Sequence, residues 1–275
     1  MDYSFYKLQS STEKSEVDKI IDFLDREHMF NVFLINNLMN WGKLKDSLEV
    51  TVLSSEKTEI ETVILKYLRN INVYSRTSMY LDLVANHLRN YDLNNCKISG
   101  KDEVLRGLSE EFPFDPVYET IKHYAVCYGI ERSNDDESSY ESEFATEDDA
   151  LEILDFLKSI SEFADSRTSR EQLANDISTG SRKVAIIRDP YSREILSTAS
   201  YVAETDKSAM IIAVATRKGS EYRGKGLATL CLNKLLNDLK EKKKTACIYY
   251  DSPAAGRIYQ KLGFKEIGKW RILGY

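Results

Sequence analysis

A glycine-rich segment between a predicted strand and a predicted helix constrains the fold of this 275-residue chain more than any other feature. The strand is Ser208–Thr216 (SAMIIAVAT), the helix covers about 226–239, and the segment between them ends in the letters EYRGKG. The first N–H groups of a helix are unpaired and carry partial positive charge, and glycines let a bulky anion approach the backbone closely. Gly224 and Gly226 therefore predict a pyrophosphate cradle, to which Arg223 and Lys225 add positive charge.

A second motif follows in the C-terminal half. After a predicted strand at Thr245–Tyr250, the predicted helix Pro253–Leu262 leads into the letters LGF, so that residues 255–264 read AGRIYQKLGF. Together the two motifs resemble the coenzyme A signature of the GNAT superfamily of N-acetyltransferases, whose Arg-x-x-Gly-x-Ala pattern is carried by Arg223, Gly226 and Ala228. The resemblance covers the C-terminal half. It implies an α/β fold (an α+β mixed sheet of the GNAT acyl-CoA N-acyltransferase type), acetyl-CoA as co-substrate and no metal.

The resemblance also implies roles for individual residues. In this family the strand that matches Ser208–Thr216 separates from its parallel neighbour, and its free backbone groups then bind the pantetheine arm of CoA. Tyr259 matches the tyrosine that lies near the CoA sulfur and protonates the departing thiolate. Ser252 stands where many members carry asparagine, and its hydroxyl can cap the helix or bond the cofactor, with a shorter reach than asparagine. The residues expected to bind the cofactor are Val214, Thr216, Arg223, Gly224, Lys225, Gly226, Leu227, Ala228, Ser252 and Ala255.

The general base stays open at the level of sequence. The C-terminal half contains no histidine, so a histidine base from this half is excluded. The candidates are Glu204 at the end of a predicted strand, Tyr249, Tyr250 and Asp251 near the expected separation of the strands, and a water molecule relayed through carbonyl groups.

The chain length and one acidic segment predict two domains. Residues 131–149 read ERSNDDESSYESEFATEDD, which is typical of a linker, so we place a boundary at Arg132–Ser139 and domains at 1–131 and 132–275. The N-terminal half alternates predicted helices and strands. This alternation permits a degenerate copy of the GNAT fold, because paired copies occur in the superfamily. We expect this half to form one side of the acceptor cleft.

Composition limits the function classes. A net charge of -6 argues against a nucleic-acid binder, and the lysines of segment 240–244 are interpreted as favourable charge at a helix end. Four scattered cysteines, a polar N-terminus and short apolar runs favour a cytoplasmic protein without a membrane or nucleic-acid partner. A homodimer is compatible with the sequence.

The expected reaction is transfer of an acetyl group from acetyl-CoA to a primary amine of a small molecule or peptide. Two alternatives remain. One is a CoA-binding or regulatory protein without turnover. The other is an aminoacyl-tRNA-dependent transferase, against which the intact cradle motif counts.

Overall fold

A computed structural model describes residues 3–55, 59–111, 115–129, 139–164, 168–219 and 221–275. The predicted linker at Arg132–Ser139 lies outside the described residues except for its last position. The described chain alternates helices and strands, which confirms the α/β class.

The elements of the first half are β1 Tyr3–Lys7, α1 Lys14–Asp25, α2 Val32–Met39, α3 Trp41–Leu44, β2 Leu48–Ser55, β3 Glu59–Tyr67, β4 Asn70–Ser75, α4 Leu81–Leu88, β5 Lys97–Lys101, α5 Asp102–Glu111 and β6 Tyr118–Cys127. Those of the second half are β7 Ser142–Phe144, α6 Ala150–Lys158, α7 Arg170–Ser178, β8 Arg182–Arg188, β9 Ile195–Val202, β10 Ser208–Thr216, α8 Leu227–Glu241, β11 Thr245–Tyr250, α9 Pro253–Lys261 and β12 Lys265–Gly274.

Two compact units result, and they do not follow the chain linearly. Unit 1 consists of 1–125, 249–251 and 266–275, and unit 2 consists of 126–248 and 252–265. The last strand thus packs with the N-terminal segment, which the linear division at 131/132 did not anticipate. The physical reason is its pairing: β12 lies antiparallel to β5, from Trp270 opposite Lys101 to Gly274 opposite Lys97.

Unit 1 has the strand order β1-β2-β3-β4-β5-β12-β6, with a hydrophobic core on each face of the sheet. The first core joins α1 and α2 to the strands through side chains such as Ile20, Leu24 and Val52. The second joins α4 and α5 to the other face. Asn40 separates α2 from α3, and its side chain donates to the Asn36 carbonyl at 2.8 Å.

Unit 2 has the strand order β11-β10-β9-β8-β7. A capping box precedes α6: the Thr146 N–H donates to the Asp149 carboxylate at 2.8 Å, and a short 3-10 turn leads into the helix. Helix α8 is amphipathic, because buried residues recur at helical spacing from Leu227 to Leu239. This burial fixes the start of α8 next to the end of β10.

Candidate active site

The two parallel strands of unit 2, β10 and β11, separate, as the resemblance implied. β10 pairs with β11 in parallel only from Ser208 to Met210, although β10 continues to Thr216. On its other side β10 carries an irregularity against β9 between Ile212 and Ala215, where Ala213 adopts a φ of 52°. A bulge of this kind redirects the strand and leaves backbone groups unpaired. The end of β10 therefore presents main-chain donors and acceptors on the side that β11 has left.

The glycine loop ends in the left-handed conformation that its sequence requires. Gly224 has a φ of 76° and Gly226, the residue before the first turn of α8, has a φ of 78°. A Cβ built on either glycine would meet no atom within 4 Å, so it would project into open space. The Leu230 N–H is the first in α8 to donate back, to the Gly226 carbonyl at 3.0 Å, and the N–H groups before it point out of the helix start. Both observations fit a bound phosphate.

Helix α9 supplies the remaining side of the site. Ser252 caps it, accepting from the Ala255 N–H at 3.4 Å, and Pro253 occupies its first turn. Tyr259 is 6% exposed, and its ring lies edge-on to Phe264 with centroids 5.7 Å apart. The chain turns after the helix at Gly263, whose φ of 87° suits glycine. This turn holds Tyr259 against Phe264 in the segment that the sequence motif marks.

These elements enclose a cavity of about 520 Å³ within unit 2. Nine of the predicted site residues line it: Val214, Thr216, Arg223, Gly224, Gly226, Leu227, Ala228, Ala255 and Tyr259. Two predicted residues do not, namely Lys225, which is exposed, and Ser252, whose hydroxyl caps α9. The cavity thus joins the end of β10, the start of α8 and one face of α9.

Six further residues line the cavity but were not predicted from the sequence: Ala215, Tyr222, Thr229, Ala254, Ile258 and Lys261. The helical repeat could have identified one of them, because Ile258 lies three residues after Ala255 and therefore shares its face. Tyr222 lies in an irregular turn, for which sequence spacing carries no such signal.

The hydroxyl of Thr216 is fixed from the neighbouring strand. Ser197 on β9 lies 3.0 Å from the Thr216 hydroxyl, and its own hydroxyl donates to the Ala215 carbonyl at 2.8 Å. Just beyond, the Arg217 guanidinium pairs with Glu194 at 2.9 Å. These contacts hold the end of β10 in place where it borders the cavity.

Glu204, a candidate base, is engaged elsewhere. Its carboxylate pairs with Lys244 at 2.6 Å and with Lys242 at 3.2 Å, and Lys242 also contacts Asp238. Burial opposes ionisation of Glu204, but the hydrogen bonds from Lys244 and Lys242 outweigh it and lower the pKa of this carboxyl. A carboxylate held in this way is a weak base. Lys242 and Lys244 therefore form ion pairs, in addition to placing the favourable charge at the helix end that the sequence indicated.

The other candidate bases, 249–251, belong to unit 1. Burial raises the pKa of Tyr249, which disfavours its phenolate. Tyr250 stacks on His123 with centroids 5.3 Å apart, and burial raises its pKa as well. Asp251 forms an ion pair with Lys122 at 3.1 Å.

None of the helices among the described residues is long and apolar enough to cross a bilayer. The same residues contain no cluster of three or more histidine, cysteine, aspartate or glutamate side chains that could hold a metal ion.

One family model matches part of the second half. The family model for GNAT acetyltransferases matches residues 184–273, a range that includes β10, the glycine loop and α9. No curated protein matches the chain by sequence.

Several solved structures share the fold over nearly the whole chain. A tandem GNAT protein from the clavulanic acid biosynthesis pathway is 12% identical, covers 98% of this chain and 97% of its own, and has a TM-score of 0.64. A Drosophila protein is 12% identical, with 98% of each chain covered and a TM-score of 0.71. A GCN5-related N-acetyltransferase from Sphaerobacter thermophilus is 13% identical, with 98% and 94% covered and a TM-score of 0.64. The chain therefore has the fold of tandem GNAT proteins, and its residues 184–273 match the family model for GNAT acetyltransferases.

Proposed function

We propose that this protein transfers an acetyl group from acetyl-CoA to a primary amine of a small molecule or peptide. The GNAT family and fold imply acyl transfer from an acyl-CoA. The observation that supports the proposal most is the meeting of a separated strand end, a glycine-lined helix start and the buried Tyr259 around one cavity. A flexible arm with a diphosphate at one end and a thioester at the other requires such a combination.

Each part of the cavity suits one part of the cofactor. The open space over Gly224 and Gly226 accepts a diphosphate against the N–H groups at the start of α8, and Arg223 adds positive charge there. The unpaired backbone of β10 around Val214 and Thr216 suits the amide groups of pantetheine. Lys261, which also lines the cavity, can pair with a further phosphate.

The proposed reaction is direct attack of a neutral amine on the thioester carbonyl, in which the carbon–nitrogen bond forms and the carbon–sulfur bond breaks. Main-chain N–H groups at the bulge of β10 can stabilise the negative charge that develops on the carbonyl oxygen. Tyr259 can donate its phenolic proton to the departing thiolate. The amine loses its surplus proton to a base or to water.

The test is a screen of amine pools with acetyl-CoA, read by mass spectrometry for acetylated products and by free CoA. The Gly226→Val variant, whose side chain would enter the cradle, is the matched control. Product that depends on acetyl-CoA and disappears in the variant supports the proposal. Calorimetric binding of CoA without any product favours the rival, a CoA-binding protein without turnover. Absence of both binding and product contradicts the proposed function.

A further inference from the structure

The two units repeat one order of elements. β1 to β5 of unit 1 pair antiparallel three times and then parallel, and β7 to β11 of unit 2 pair in the same sequence of senses. Helices separate the first and second strands of each set, namely α1, α2 and the four-residue α3 in unit 1 and α6 and α7 in unit 2, and one helix joins the strands of each parallel pair. The loop between β4 and α4 in unit 1 is therefore the counterpart of the cofactor loop between β10 and α8.

The correspondence extends to single contacts at this loop. In unit 1 the three contacts are Arg76 N–H to the Glu61 carbonyl at 2.9 Å, Arg76 Nη2 to Glu59 Oε1 at 3.0 Å, and the hydroxyls of Thr62 and Ser75 at 2.8 Å. In unit 2 they are Arg217 N–H to the Leu196 carbonyl at 2.8 Å, Arg217 Nη1 to Glu194 Oε2 at 2.9 Å, and the hydroxyls of Ser197 and Thr216 at 3.0 Å. Arg76 thus matches Arg217, and Glu61 matches Leu196.

Glu61 at the position of Leu196 is the chemical difference between the two loops. Leu196 is a buried apolar side chain, whereas Glu61 brings a carboxylate to the same place, and both are at most 1% exposed. The Glu61 carboxylate accepts from Arg76 Nε at 3.1 Å, from the Thr77 N–H at 2.9 Å and from the Thr77 hydroxyl. A buried charge requires such partners. The cation and the donors at the start of this loop are therefore satisfied from within the chain.

The gap between strands is also closed in unit 1. β4 pairs with β5 through Val73 opposite Gly100, and its pairing with β3 shows no irregularity. A Cβ on Gly100 would lie 2.5 Å from the Val73 carbonyl oxygen, so the strands approach each other more closely than any other residue would allow. The loop has five residues (76–80) and no glycine, against ten in unit 2 (217–226).

We infer that unit 1 is a closed copy of the cofactor-binding fold, in which the Glu61 carboxylate supplies the negative charge that a bound phosphate would supply to its loop. The chain then binds one CoA, in unit 2. This inference rests on the proposed function for the identity of the cofactor, but the role of Glu61 does not.

The first test counts binding sites by titration calorimetry of the full chain with CoA. One site that is lost in Gly226→Val, with folding checked by circular dichroism, supports the inference. Two sites, or a site that persists in Gly226→Val, would overturn it. No binding to the unaltered protein would instead contradict the proposed function.

The second test removes the Glu61 carboxylate and measures whether added formate can take its place. Glu61→Ala should lower Tm by on the order of 10 °C, because the Arg76 and Thr77 donors lose their buried partner. Formate should raise the Tm of this variant by more than it raises that of the unaltered protein. Glu59→Ala is the matched control, since the more exposed Glu59 also pairs with Arg76, and its response to formate should equal that of the unaltered protein.

An equal response of Glu61→Ala and the unaltered protein to formate would overturn the role of Glu61. Should the alanine variant not fold, Glu61→Gln decides the question, because it keeps the size and one acceptor oxygen but replaces the charged carboxylate's other oxygen with an NH2 donor. Its Tm should fall below that of the unaltered protein. A Tm equal to that of the unaltered protein would show that no negative charge is needed there.

Discussion

At the scale of single residues, Tyr259 separates an enzyme from a binding protein. Its ring is buried against Phe264, so Tyr259→Phe keeps the packing and removes one hydroxyl. If the phenol protonates the thiolate, kcat should fall by about 10²-fold or more while the Kd for CoA stays nearly constant. Steady-state kinetics together with calorimetry measure the two quantities. An unchanged kcat, with an amine for which the chemical step limits the rate, would make Tyr259 a packing residue.

The carboxyl of Glu204 makes the stability of unit 2 depend on pH. Burial works against its charge, yet Lys244 and Lys242 lower its pKa below the ordinary value of 4.5. A carboxyl whose pKa is lower in the folded state stabilises the fold above the unfolded pKa, and this stabilisation disappears as the pH falls through the folded pKa. The free energy of unfolding of the unaltered protein should therefore exceed that of Glu204→Gln at pH 7, and the difference should shrink below about pH 4.5.

Urea unfolding at pH 7, 5, 4 and 3 measures this difference. Glu241→Gln controls for the loss of one negative charge from the molecule, because Glu241 is exposed at the C-terminal end of α8. A difference between Glu204→Gln and the unaltered protein that stays constant from pH 7 to pH 3 would contradict the assignment.

Residues differ in how far the sequence alone could place them. Gly226 and Tyr259 could be placed, because each lies in a short motif whose spacing matches local structure: a helix start and a helical face. Glu61 and Arg76 could not, because these residues lie fifteen positions apart in the chain and their contact depends on how β3 and β4 are aligned. Of the two roles that the sequence left open for the Ser252 hydroxyl, the structure shows the helix cap.

At the scale of elements, the proposed function makes the start of α8 the part of the site that binds phosphate. Gly226→Val should weaken CoA binding by at least about 100-fold, because a side chain in the open space over the loop displaces phosphate from N–H groups, and hydrogen bonds to charged groups contribute about 1.5–3 kcal/mol each. Gly180→Val is the matched control. Gly180 also has a positive φ, of 74°, and open space around it, but it lies outside the cavity.

Both variants strain the backbone by at least about 1–2 kcal/mol, so their melting temperatures should fall by similar amounts. Calorimetry with CoA should then distinguish them, with loss of affinity in Gly226→Val alone. Equal affinity in the two variants would remove the start of α8 from the cofactor site.

Elements with a strong hydrophobic pattern were predictable, and those with a weak one were not. β10 contains the continuous apolar run 209–215 and β8 the shorter apolar run 184–187, and α8 shows a clear helical repeat. Helix α7 buries only Leu173 among its nine residues, and β5 is five residues long with lysine at both ends. Neither segment carries enough periodic signal to be distinguished from a loop.

At the scale of the whole molecule, the assignment of the last strand to unit 1 was beyond sequence reasoning. β12 follows the GNAT motif directly, so its position in the chain favours the second unit. Its pairing with β5 and the burial of Trp270 and Leu273 place it in unit 1 instead. Strand partners distant in the chain are selected by tertiary packing, which leaves no local pattern.

Leu273→Ala tests this assignment. Leu273 is 2% exposed and packs in the core that covers α4 and α5 of unit 1, so its truncation should cost about 2–5 kcal/mol of unfolding free energy. Hydrogen exchange locates the effect: amides of α4 and α5 should lose protection. Lys269→Ala, at an exposed position of the same strand, should change stability by less than about 0.5 kcal/mol. Loss of protection confined to α6 and α7 of unit 2 would contradict the assignment of β12, since those helices pack in a different core.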